Sequence, residues 1–327
     1  MKVMPFYFGK NGTSCPEFLD WELTRGLQKA GVQFVRNRSD AEEIWLFDAT
    51  LASFLKSLAF QKSQRRLLIF EPEAVNPLQH QLFFQSRFRE VLVFSEGQLS
   101  KFATFVPGGG LRTSRMKSKH DKDDEKEFDF VMAAGNKYSV VDSSMYDLRR
   151  KLITSLVKEG YSVGLAGPGW REETTLTYVK AIVFSFIRTL MSARLPRLSK
   201  IVPMGIKIVK SYSNLHVHGW VDDEIDFFRR GTTVICIEND IRACSEKIFS
   251  AICARRSVVY VGPPEAMKYL THLPVYFQSN TNFFSILNAC KEARESADFS
   301  IEAPIDTRLA FREESAFYSR LIEALLR

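Results

Sequence analysis

Short apolar runs recur through the first hundred residues, each bounded by polar or turn-forming segments. Residues 3–8, 32–36 (Val-Gln-Phe-Val-Arg), 43–48 (Glu-Ile-Trp-Leu-Phe-Asp), 66–70 (Arg-Leu-Leu-Ile-Phe) and 90–94 (Glu-Val-Leu-Val-Phe) have the length and side chains of strands. Residues 16–31 predict an amphipathic helix ending near Gly31, and helical pieces fill the later gaps. Strands alternating with helices predict a parallel sheet with helices on its faces.

Gly108-Gly109-Gly110 closes this half, and residues 117–127 are almost wholly charged, as solvated linkers are. The pattern then restarts. Residues 128–135 read as a strand running into a loop, 144–159 as a helix, and 161–165 as a strand entering the turn Ala166-Gly167-Pro168-Gly169-Trp170. Later strands are expected at 215–217, 233–237, 257–261 and 275–277, and a closing helix at 315–326. The predicted fold class is α/β, with two Rossmann-like lobes facing a cleft. Its expected domains are an N-terminal Rossmann-like domain at 1–116, a linker at 117–127, a second Rossmann-like domain at 128–305, and a C-terminal helix at 306–327.

Residues 174–210 break the rhythm. Val179, Ile182, Val183, Phe186, Ile187, Leu190 and Met191 give an apolar helical pattern. Lys180, Arg188, Arg194, Arg197, Lys200, Lys207 and Lys210 add positive charge, and no acid intervenes. Such a basic amphipathic insertion suits an anionic membrane surface. A helical hairpin packed on the second lobe, with a solvated basic face, is the other reading.

Composition narrows the class. At 327 residues the chain is long enough for two domains, and 45% hydrophobic with 25% charged residues excludes disorder as an overall description. The net charge of +7 favours an anionic partner. The basic residues are not interleaved with aromatics in a nucleic-acid-binding motif, so no nucleic acid is expected. Five cysteines without a C-x-x-C pair form neither a disulfide framework nor a convincing zinc site. The N-terminus is too short and polar for a signal peptide, and no run of ~18 apolar residues appears. We therefore expect a cytoplasmic protein, with the inner membrane face as a peripheral location.

Three stretches could carry chemistry. In the first, 234–240 and 245–252, a strand leads through Glu238-Asn239-Asp240 to Ser245-Glu246-Lys247 at a helix start. Unpaired N–H groups there favour an anion, and Lys247 adds a full charge for a diphosphate. Glu238 and Glu246 could accept from ribose or sugar hydroxyls; a plain helix cap with solvated charges is the alternative. The second is Gly135-Asn136-Lys137, with Arg149-Arg150-Lys151 on the following helix. Gly135 permits close backbone approach to a ligand, and the cations could bind it. Tandem basic residues on a helix are more often solvent-facing, and Gly167-Pro168-Gly169 could be only a turn. The third is Glu71, at the C-terminal end of a strand, where parallel sheets bind ligands. A carboxylate there could act as general base, or be an exposed loop acid. Asp222-Asp223-Glu224 suggests a metal-binding cluster, but its place just after a strand favours a solvated loop.

Together these stretches resemble the family of the α1,3-fucosyltransferases, in its soluble bacterial form with a GT-B fold. The resemblance runs from about residue 66 to 265. It is most specific over 233–262, in Glu-Asn, Ser-Glu-Lys, a short helix and Val-Tyr-x-Gly. Met132 to Ile153 resembles that family's strand, loop and Arg-bearing helix, and Gly164 to Trp170 its Gly-x-Gly-Trp turn. Residues 1–65 match no motif of the family. Ala243 replaces a frequent Tyr, Asp240 a Ser, and the loop after Gly219 lacks the usual Lys.

The resemblance implies an acceptor-side first lobe and a donor-binding second lobe. It implies transfer from GDP-fucose to a glycan hydroxyl with inversion, and no required metal. It implies Glu71 as the base, since Glu71 precedes Pro77 by six residues as the family's base precedes its Pro. It places Arg149 and Lys247 on the diphosphate, with Glu238, Asn239 and Glu246 lining the donor pocket. The competing readings are a glycosyltransferase of the same fold using another nucleotide sugar, and a non-catalytic nucleotide- or membrane-binding module.

Overall fold

Parallel strands buried on both faces read as near-continuous apolar runs, and the centre of each half of this chain is built from such runs. In the computed structural model every residue of strands β3 (Glu43–Phe47) and β4 (Arg65–Ile69) is buried, and so is every residue of β10 (Gly231–Ile237) and β11 (Ser257–Val261). The structure describes residues 1–7, 21–106, 126–139, 141–170, 179, 183–187, 190, 212–245, 247–267, 275–296 and 319–326.

The chain divides into two units. The first holds β1 (Lys2–Tyr7), β2 (Gln33–Phe34), β3, β4, β5 (Glu90–Val93) and β6 (Ala103–Phe105) in the order β2-β1-β3-β4-β5-β6, all parallel. The second holds β7 (Phe128–Ala133), β8 (Val163–Ala166), β9 (Leu215–Gly219), β10, β11 and β12 (Val275–Gln278) in the order β12-β11-β10-β7-β8-β9, again all parallel. Each expected strand that lies in the described residues is present, with ends shifted by at most two residues.

Three elements go beyond the expectation, the helix Glu224–Arg229 among them. The edge strand β6 has three residues, too few to carry a periodic signal. The helix Phe283–Glu295 starts after Asn282, whose side chain accepts from the N–H groups of Phe284 and Ser285. It buries Ile286, Leu287, Ala289, Cys290 and Ala293 against the core beneath β10 and β11. Its buried residues recur at helical spacing along the sequence.

The closing helix, described over 319–326, belongs to the first unit. Leu321 and Leu325, one turn apart, are fully buried beside Val3, Leu27 and Trp45. The last residues of the chain therefore complete the core of the sheet begun by its first residues. Charge inside that sheet is paired: Arg66, stacked near Trp45, donates to Glu43 at 2.9 Å and also reaches Glu90.

Several expectations lie outside the described residues. These are the helix start at 16–20, the glycines at 108–110, the linker apart from Lys126 and Glu127, and residues 315–318. Of the insertion, residues 179, 183–187 and 190 are described, and they are helical. Val179, Val183, Phe184, Ile187 and Leu190 are all exposed. Among the described residues no helix is long and apolar enough to cross a membrane.

Candidate functional site

In the second unit, β7 runs into a loop whose backbone is tied to the loop after β8. Ala134 N–H donates to Ala166 O at 2.9 Å, and Asn136 N–H to Pro168 O at 2.8 Å. The Asn136 side chain adds a bond to Gly169 O at 3.0 Å. This approach depends on glycine. Gly167 and Gly169 have φ of +117° and +87°, and a Cβ on them would meet Ala134 O at 2.6 Å and Asn136 O at 2.5 Å. The Gly-Pro-Gly turn is thus one wall of a joined pair of loops.

Between these loops and the end of β10 lies a pocket of about 530 Å³. Gly135, Lys137, Asn239 and Lys247, all singled out in the sequence, line it; Trp220 and Asp222 line it too. Nothing in the sequence pointed to Trp220, and Asp222 stood out only as part of the acidic run 222–224. Gly135 needs no glycine for packing, since a Cβ there would make ordinary contacts at 3.5 Å with Lys137 and Pro168. Lys247 opens the helix Lys247–Cys253 and makes no hydrogen bond or ion pair among the described residues. Glu246 lies outside the described residues.

Arg149, Asn136 and Glu238 are buried and do not line the pocket. The tandem arginines are not solvent-facing: Arg149 and Arg150 are 1% and 3% exposed. Arg149 donates to Ile237 O at 3.1 Å, Gly135 O at 3.4 Å and Asn239 Oδ1 at 3.0 Å. Burial pulls its pKa below the ordinary range, yet a guanidinium remains charged. Its bond to Asn239 has a chemical consequence. A guanidinium only donates, so the Asn239 oxygen must face it and the NH₂ group must point elsewhere. That NH₂ has no partner among the described residues. Arg150 repeats the device on the neighbouring loop, donating to Asn136 Oδ1 at 3.1 Å and Lys137 O at 2.7 Å.

Glu238 supports the other wall. Its carboxylate accepts from Ser245 N–H at 2.9 Å and Tyr260 O–H at 3.0 Å. Burial raises its pKa, while Lys247 pulls in the opposite direction. Asp240, where the resembling family has Ser, pins the loop to the start of the Tyr146–Lys158 helix. Ser143 donates to it at 2.5 Å and Arg242 N–H at 3.0 Å. Burial raises the Asp240 pKa, but the Arg242 guanidinium, which donates to it at 3.2 Å, outweighs burial together with these bonds and holds it below the ordinary range.

The acids at 222–224 divide: Asp222 is exposed as a solvated loop would leave it, and the other two join a helix start. Asp223 caps the helix Glu224–Arg229, accepting from Ile225 and Asp226 N–H, and all three acids line the pocket. No group of three or more His, Cys, Asp or Glu residues that could hold a metal occurs among the described residues.

In the first unit, Glu71 follows β4, and its backbone is clamped. Asp48 Oδ1 accepts from Phe70 N–H and Glu71 N–H, both at 2.8 Å, and from Gln79 Nε2 at 2.9 Å. Gln79 also donates to Glu71 O at 3.1 Å, and His80 Nε2, protonated to face a carbonyl, donates to the same oxygen at 3.0 Å. Asp48 itself adopts φ +57°, a left-handed conformation that Asp tolerates better than most residues. Burial, reinforced by the nearby Glu71 charge, raises its pKa to about 7.

No family model matches this chain, and no curated protein matches it. Solved structures do. A DNA-modifying β-glucosyltransferase, solved with and without UDP-glucose, is 9% identical over 99% of this chain and 98% of its own, with a TM-score of 0.52. An α1,3-fucosyltransferase is 14% identical over 98% and 90%, with a TM-score of 0.54. HepE from Anabaena, solved with UDP, is 13% identical over 93% and 81%, with a TM-score of 0.50. At these identities the likeness shows the fold, α/β with two parallel six-stranded sheets of the GT-B glycosyltransferase type.

Proposed function

We propose that this chain is an inverting glycosyltransferase that moves a sugar, fucose by the sequence resemblance, from a GDP donor to a hydroxyl of a glycan acceptor. The observation that carries the reading is the pocket at the ends of β7, β8 and β10, with Lys137, Lys247 and the Asn239 NH₂ group turned to one space. Two cations and an amide donor suit a diphosphate, whose charge grows as the glycosidic bond breaks. In this reading Lys247 and Asn239 bind the diphosphate, and Gly135 lets it approach the backbone. Arg149 acts one step back, by orienting Asn239. Asn136 and Glu238 hold the two walls in place.

Glu71 takes the proton of the acceptor hydroxyl as its oxygen attacks the anomeric carbon. The glycosidic bond to the diphosphate breaks on the opposite side, and the nucleoside diphosphate leaves with the bonding electrons. The Asp48–Gln79–His80 clamp fixes where Glu71 starts. Protein cations do the work a metal would do elsewhere.

The exposed apolar side chains of Val179, Val183, Phe184, Ile187 and Leu190, in a stretch of basic sequence, support a peripheral position on an anionic membrane. The cytoplasmic inner face, with an acceptor of the lipopolysaccharide or cell-surface polysaccharide type, fits that position. Calorimetry with GDP, UDP and CMP on wild type and Lys247→Ala tests the donor site. Selective GDP binding, weakened about tenfold by Lys247→Ala, is expected. Folded protein that binds no nucleotide overturns the reading.

A further inference from the structure

Tryptophan is on average a strongly buried residue. Of the four in this chain, Trp45 and Trp170 are buried, whereas Trp220 is 82% exposed and lines the pocket. It follows β9 directly. The loop after it carries three acids with different occupations. Asp223 caps the next helix and Glu224 opens that helix. Asp222 is exposed, lines the pocket, and makes no hydrogen bond or ion pair among the described residues.

Sheet order gives the pocket a polarity. The strands behind it run β10-β7-β8-β9, so Lys247 and Asn239 follow one end strand and Trp220 and Asp222 follow the other. Three strand spacings separate the ends, roughly 14 Å. One end is cationic, and the other joins a flat aromatic face to a carboxylate. A nucleoside diphosphate in extended form has the same two ends and the same order of length.

The carboxylate chooses among bases. It only accepts hydrogen bonds. Guanine presents N1–H and its 2-amino group side by side, a match for two carboxylate oxygens. Uracil presents one N–H between two carbonyl oxygens, which a carboxylate repels. We propose that Trp220 stacks on the donor's base and Asp222 reads its N1–H and 2-amino edge, which selects guanine. The proposal rests on the donor-pocket reading above, and it reaches guanine from pocket chemistry without the sequence resemblance.

Inosine diphosphate, which lacks only the 2-amino group, isolates the Asp222 contact. The test measures binding of GDP, inosine diphosphate and UDP to the full chain by calorimetry and tryptophan fluorescence. Wild type should prefer GDP to inosine diphosphate by about tenfold or more, the value of a hydrogen bond to a charged group. Asp222→Asn should bring the two within about threefold while both still bind. Trp220→Ala should weaken both by about 5- to 100-fold, as lost base stacking does. Trp220→Phe should restore most of that affinity and abolish the GDP-induced quench of tryptophan emission. With Trp220 so exposed, neither variant threatens folding. Equal wild-type affinity for GDP and inosine diphosphate overturns the proposal. So does a Trp220→Ala variant with unchanged GDP affinity while Lys247→Ala binds weakly; the donor pocket would then stand without this base reader. A preference for UDP sinks the guanine assignment alone. No nucleotide binding at all overturns the proposal together with the donor pocket.

Discussion

The two units share a plan and differ in what their strand ends offer. Each is a six-stranded parallel sheet, and each carries its conspicuous polar groups just beyond the carboxyl ends of the strands. In its own order the second sheet reads 3-2-1-4-5-6, with the chain reversing direction across the sheet between β7 and β10; the first reads 2-1-3-4-5-6, with the reversal between β1 and β3. At the second reversal the loops stand apart and leave a pocket lined by two lysines. In the first unit the ends of β3 and β4 are stitched shut. Asp48, Gln79 and His80 direct their side chains onto the backbone of Glu71. One is an open pocket with two lysines in its lining, the other a tight clamp on the backbone of a single acidic residue. The sheet supplies the location, and a few loop residues supply the chemistry.

The sharpest way to break that comparison is Glu71→Gln. Turnover should fall on the order of 10²- to 10⁴-fold with nucleotide affinity unchanged. Near-normal turnover in folded protein would show that the first unit's clamp serves structure only.

Next in size is the pH response of the first unit. Asp48 keeps its proton up to about pH 7 in the folded chain against an ordinary value of 3.8. Between those values the native state binds more protons than the unfolded one, so stability falls as pH rises. The contribution is fully present below the ordinary value, is lost on passing the folded one, and amounts to at most about 4 kcal/mol. Asp48→Asn keeps an accepting oxygen for Phe70 and Glu71 and cannot titrate. Its urea midpoint should fall less steeply than the wild type's from about pH 4 to 7, and an unchanged wild-type slope would refute the assignment.

In the second unit Arg149→Met should destabilise by about 3 kcal/mol, because Ile237 O and Asn239 lose a buried charged donor. Freed from Arg149, the Asn239 amide can turn over, so nucleotide affinity should fall as well. A loss of stability with intact affinity would mean that Arg149 does not orient Asn239.

The smallest effects come from a pair of glycines on facing loops. Gly167→Ala should cost about 2 kcal/mol, since a side chain there is strained and meets backbone. Gly135→Ala should leave thermal stability within about 0.5 kcal/mol and weaken nucleotide binding instead. If both variants only lose stability, the loop after β7 is a packing feature and not a ligand wall.

Much of this was legible before any tertiary structure. Buried parallel strands need unbroken apolar runs, so β3, β4, β10 and β11 announce themselves. Lys247 and Gly135 were legible for the same kind of reason: a strand, a polar loop and a helix in sequence is how α/β sheets make ligand ends. Burial was not legible. Nothing local separates Arg149 and Arg150 from solvent-facing arginines, and their carbonyl partners come from β10 and the loop after β7, up to 88 residues away. The acids at 222–224 read as one solvated run, yet one caps a helix and another is left to the pocket, a division set by where the next helix begins.

By itself, then, the sequence determined the element types, the restart near residue 128 and the residues able to meet an anion, because periodicity and side-chain chemistry are local properties. Only the tertiary structure decided which charges are buried and which are offered. It also returned Leu321 and Leu325 to the first sheet, and it put Trp220 and Asp222 opposite Lys247. Those outcomes depend on strand order and on contacts between distant segments, which no short window of sequence contains.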